Sequence, residues 1–256
     1  MTRAALTARG YRPPTLSLAW DLFVLAIATL TGRSARTLLR WLSRPFAVHV
    51  EGEQHVPRDG AFVIALNHFS DGASGAIVRA ALDAVGDACP SALDRVLMVG
   101  GRRGRVPKSR FARWLRALAA PIGRALRWRW SAHLVVIAMS EARPDWGALR
   151  QWKRRASERV SVVFPEGIAG VQLGAIRDGA GRWLATIGVP TLPCAAWFDG
   201  QQWRVRFGPL VLWAKHTKVH DAQLGLALAE LLPPALQGGW AADLERVRRL
   251  RAPHAE

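Results

Sequence analysis

The chain has 256 residues, half of them hydrophobic, which excludes disorder over most of its length and leaves enough apolar material for a large core. Lys and Arg total 36 against 19 Asp and Glu, a formal net charge of +17, and that balance points to an anionic partner: a lipid surface, nucleic acid, or an acidic cofactor or carrier protein. Two cysteines, Cys89 and Cys194, exclude a disulfide framework and read as core thiols of a protein in a reducing cytoplasm.

The first fifty residues carry seven Arg and a single acidic residue, Asp21. Within them Leu16–Gly32 is mostly apolar, but a spanning helix needs roughly 20 apolar residues, and Asp21 deep in lipid costs up to ~3 kcal/mol. The run is marginal as a span and lacks the cleavage signal of a secretory leader. In the stretch that follows, Leu38, Leu39, Trp41 and Leu42 share a face, with Arg36, Arg40 and Arg44 at its rim. That pattern suits first an interfacial helix on anionic headgroups, and second a core-packed helical hairpin with a solvated basic face. Residues 1–45 are expected to form a membrane-associating helical segment ahead of an α/β domain over 46–256.

From Phe46 onward, short β-like runs alternate with helical ones. Strands are expected within 46–52, 61–67, 95–100, 133–138, 160–167, 189–197 and 203–208, and helices near 73–85, 109–119, 146–158, 174–187, 221–232 and 241–250. Alternation of this kind predicts a mixed, mostly parallel central sheet flanked by helices. Residues 100–130 hold ten basic residues and no acidic one, with Phe111, Trp114, Leu115 and Leu118 on one helical stripe. A basic amphipathic helix edged by Trp fits an anionic lipid surface or an acidic carrier protein. No nucleic-acid-binding signature accompanies it, so no nucleic-acid partner is expected.

Two polar turns follow strands. The first is Asn67-His68-Phe69-Ser70-Asp71; the second, 98 residues after His68, is Phe164-Pro165-Glu166-Gly167. In this order and spacing they resemble the glycerophospholipid and lysophospholipid acyltransferase family (1-acylglycerol-3-phosphate acyltransferase-like), which carries Asn-His-x-Ser-x-x-Asp and Phe-Pro-Glu-Gly motifs after an early and a later strand. The likeness runs over roughly residues 46–210 and extends to the approach Val50–His68 and to the segment Gly174–Trp197.

The resemblance implies a transfer of a fatty acyl group from acyl-CoA or acyl carrier protein to a hydroxyl of a lysophospholipid or glycerol phosphate-like lipid, on the cytoplasmic face of the cell membrane, with the thioester as co-substrate and no resident cofactor. It assigns His68 as general base and Glu166 to a supporting catalytic place, with Asn67, Ser70 and Gly167 lining the substrate. The sequence departs from the family at three points. Ala73 stands where the family has its aspartate, which leaves Asp71 either to orient the His68 ring or to cap the following helix. Ile168-Ala169 replaces Thr-Arg, and Met139-Ser140 occupies the middle motif's arginine position, so Arg143 and Arg177 become the candidate phosphate-binding substitutes. These departures support a second reading, a lipid-binding relative of the same fold that has lost catalysis. His216 and His220 have helical metal-ligand spacing, but no third ligand accompanies them and no metal is expected.

Overall fold

The computed structural model describes residues 48–69, 74–102, 134–138, 145–214 and 217–251. The expected N-terminal segment 1–45, the helix near 109–119 and most of the basic stretch 100–130 lie outside the described residues. Elsewhere the alternation seen in the sequence becomes a seven-stranded sheet. In chain order its elements are β1 (Val48–Glu51), β2 (Val63–Leu66), α1 (Ser74–Ala88), β3 (Val96–Arg102), β4 (Leu134–Ala138), α2 (Trp146–Ala156), β5 (Val160–Val163), α3 (Ala180–Ile187), β6 (Thr191–Phe198), β7 (Trp203–Phe207), α4 (His220–Leu231) and α5 (Trp240–Arg251).

The strands lie in the order β1-β7-β6-β2-β5-β3-β4. The run from β6 to β4 is parallel throughout; β7 is antiparallel to β6, and β1 is parallel to β7. The class is therefore α/β with a mixed, mostly parallel sheet. β2 sits centrally, and all four of its residues, Val63, Ile64, Ala65 and Leu66, have no exposed surface. A strand covered on both faces needs a continuous apolar run rather than alternation, and this is the run the sequence supplies. β7 instead alternates buried and half-buried residues, with Trp203, Val205 and Phe207 inward. α1 packs on β1, β6 and β7, α2 on β3 and β4, and α4 on β6 and on both α3 and α5. Cys89 and Cys194 are both buried, as expected of core thiols.

The strand order creates one special place. From β2 the chain goes on to β3, toward one edge of the sheet; from β5, its neighbour, it goes on to β6, toward the other. Connections that leave adjacent parallel strands in opposite directions leave a crevice outside their carboxyl ends, the usual location of a binding site in such sheets.

One helix is shorter than the sequence suggests. The expected helix over 174–187 starts only at Ala180, after Gly179 in the left-handed conformation (φ 78°). Residues 171–178 run irregularly because their main-chain groups bond elsewhere: Leu173 N–H to Leu236 O at 2.8 Å and Arg177 N–H to Pro165 O at 3.0 Å. α3 takes its N-terminal cap from outside itself, for the Asp221 carboxylate accepts from Gly179 N–H at 2.8 Å and Gly181 N–H at 2.6 Å.

Candidate functional site

β2 and β5 pair in parallel with Ala65 opposite Val163, an offset of 163 − 65 = 98. Continued past both strand ends, that offset sets His68 opposite Glu166, since 166 − 68 = 98. The two turns found in the sequence therefore meet at the crevice. The main-chain N–H of His68 donates to Glu166 Oε2, and Gly174 N–H donates to Glu166 Oε1 at 2.7 Å.

Beyond this point the register changes. Phe69 bridges Gly170, an offset of 170 − 69 = 101, so three residues are looped out. The loop begins with a tight turn in which Gly167 N–H donates to Phe164 O at 3.1 Å. Gly167 has φ 68°, a left-handed conformation that disfavours any side chain there. Ile168 projects to solvent, 63% exposed. At its far end Gly170 N–H donates to His68 O at 2.9 Å. Both main-chain polar groups of His68 are thus held by the loop after β5. The imidazole stacks on Phe164, ring centroids 4.2 Å apart and planes 22° from parallel, while His68 as a whole stays half-buried. The stacking orients the ring, whose Nδ1 is buried.

Asn67 explains how the preceding residue is fixed. β6 continues beyond the end of β2, so the Ala196 peptide groups facing β2 have no strand opposite them. The Asn67 amide takes that place: Nδ2 donates to Ala196 O at 3.0 Å and Oδ1 accepts from Ala196 N–H at 2.7 Å. Asn67 and Ala196 are fully buried, and an amide side chain reproduces the donor–acceptor pair of a peptide group.

Glu166 is 5% exposed. Burial pushes its carboxyl up to about 7, against the opposing pull of the N–H donors of Gly174 and His68. Two donors aimed at two oxygens suit the ionised form; the dry surroundings suit the neutral one.

Of the remaining residues singled out in the sequence, Arg177 follows the turn closely in space through its N–H on Pro165 O, and the residue is exposed. Ser70, Asp71, as orienting group or as helix cap, and Arg143 lie outside the described residues. His220 Nε2 lies 2.7 Å from Ala214 O, and its spacing partner His216 is outside the described residues. Sequence reading overlooked Gly170, Gly174 and the stacking role of Phe164; the glycines at 167, 170 and 174 were the available signal, since each sits where main chain closes on the site.

Among solved structures, the chain is similar to that of the 1-acyl-sn-glycerophosphate (LPA) acyltransferase PlsC from Thermotoga maritima, at 13% sequence identity over 94% of this chain and 97% of that one, with a TM-score of 0.49. No protein-family model matches the chain, and neither does any curated protein.

Proposed function

We propose that the protein is an O-acyltransferase that moves a fatty acyl group from a thioester, acyl-CoA or acyl carrier protein, to the hydroxyl of a lysophospholipid or glycerol phosphate-like lipid at an anionic membrane surface. The observation that carries this reading is the union of the two sequence motifs: a half-buried, ring-stacked His68 whose main chain is held by Glu166 at the crevice between β2 and β5.

The neutral imidazole of His68 accepts the proton of the acceptor hydroxyl as its oxygen attacks the thioester carbonyl. A C–O bond forms, the C–S bond breaks, and the departing thiolate takes the proton back from the imidazolium. Asn67, Phe164 and Glu166 supply order rather than protons in this scheme. They fix the main chain and the ring before substrate arrives, so the reacting oxygen meets a base already aimed at it. Arg177, and Arg143, would meet the acceptor's phosphate.

The test is acyl transfer by the purified protein from acyl-CoA and acyl carrier protein donors to lysophospholipid acceptors, with His68→Ala alongside. Turnover in the parent and its loss in the variant is the expected result, and equal turnover in both removes the base assignment. The alanine at position 73 favours one rival, a lipid-binding relative without catalysis; it would bind anionic vesicles and transfer nothing from either donor.

A further inference from the structure

Glu166 can hold His68 only as firmly as its own second donor is held. That donor is Gly174 N–H, and Gly174 is a residue whose backbone turns freely unless something stops it. The same residue's C=O accepts from Trp240 Nε1–H at 2.9 Å. Its neighbours are gripped by the same stretch of chain: Leu173 N–H on Leu236 O at 2.8 Å and Gln172 Nε2 on Ala235 O at 2.8 Å. Two glycines make the grip possible. A Cβ on Gly238, which has φ 60°, would lie 2.3 Å from Leu173 O, and a Cβ on Gly225 would lie 2.3 Å from the Trp240 ring. Trp240 is therefore seated against α4 with its N–H turned toward the site.

We propose that Trp240 is a positioning residue for the His68 site: its indole N–H pins Gly174, Gly174 N–H holds the Glu166 carboxylate, and the carboxylate holds the main chain of His68. The inference rests on the reading of His68 as the base. It differs from a plain anchoring role, in which Trp240 would steady the C-terminal helices and leave Glu166 as it is.

The experiment follows the His68 main-chain amide by 1H–15N NMR as pH is varied, in the full chain without substrate, together with steady-state acyl transfer. In the parent this amide reports the Glu166 carboxylate, with a midpoint near 7. Trp240→Phe keeps a ring and removes the donor. The midpoint is expected to move upward, because the ionised carboxylate loses a firmly held N–H, and kcat to fall about tenfold with KM little changed, less than the roughly 100-fold of a 1 Å misplacement. Gln172→Ala, which loosens the same grip two residues from Gly174, is expected to move the midpoint in the same direction and serves if Trp240→Phe fails to fold. Gln237→Ala removes a bond internal to the C-terminal stretch, Nε2 to Leu232 O at 3.0 Å, and is expected to leave the midpoint alone. An amide that does not titrate, a midpoint unmoved in the first two variants, or an equal movement in Gln237→Ala overturns the proposal. A moved midpoint in a protein without acyl transfer removes the base assignment and keeps the positioning chain; turnover with an unmoved midpoint does the reverse.

Discussion

The main-chain N–H of His68 and the carboxylate of Glu166 form a hydrogen bond across 98 residues of sequence. It sits where the β2–β5 register, carried past the ends of both strands, makes the two residues neighbours. Its acceptor is buried, and that gives it a pH signature. Folded Glu166 titrates at about 7 against an ordinary 4.5, so the folded state holds a proton that the unfolded chain has released. The contribution to stability is complete below about pH 4.5 and is lost as pH rises through about 7, to a total of about 3 kcal/mol. Urea denaturation midpoints across that window should fall with rising pH, and the fall should be much reduced in Glu166→Gln, which cannot ionise. Gln presents one acceptor to two N–H donors, so the variant should also lose about 1–3 kcal/mol at low pH.

Asn67 completes the sheet where β2 stops short of β6. Asn67→Ala leaves the buried N–H and C=O of Ala196 without partners, at about 1–3 kcal/mol each. Asn67→Asp keeps an acceptor for the N–H but sets a second oxygen against the C=O, and should be at least as damaging. Chemical denaturation of both variants checks this; a loss below about 1 kcal/mol in each would show the amide to be dispensable.

His68 contributes to the fold through its main chain, which alanine retains. His68→Ala keeps those main-chain bonds and should lose the stacking on Phe164, worth about 0.5–1.5 kcal/mol, while losing about 10²–10⁴ in acyl transfer. A thermal melt and a turnover assay on one preparation separate the two effects.

Asp221 opens α4 yet caps α3, its two oxygens on Gly179 N–H and Gly181 N–H. Asp221→Asn keeps one acceptor and should cost about 1 kcal/mol, Asp221→Ala about 2 kcal/mol. The difference between their denaturation midpoints measures the second bond. Gly181→Ala should exceed both, because its Cβ would lie 2.5 Å from His220 O and force α3 away from α4.

How far the sequence could be read depended on how local each signal was. All seven strands were visible, because a buried strand writes its own apolar run and its own breakers. His68 and Glu166 were visible as strand-end motifs, but their contact was not, since it depends on β5 lying beside β2. The bond from Asn67 to Ala196 could not be read from the sequence, because its partner is a peptide group 129 residues away with no side-chain signature. The late start of α3 escaped notice for a similar reason. Residues 174–179 have helix-compatible composition, yet Gly174 is bonded to Glu166 and Arg177 to Pro165. Trp240 opens a helix near the end of the chain, and nothing nearby hints that its indole reaches Gly174.

Ala235, Leu236 and Trp240 grip the segment that steadies Glu166, and they come after every strand of the sheet in the chain. On the ribosome, where a polypeptide emerges in order, the strands and the His68 turn leave ahead of Trp240, so Glu166 and His68 reach free solution before the tryptophan does. A chain ended ahead of that tryptophan would carry both motifs and all seven strands while still lacking α5 and the last support of its histidine.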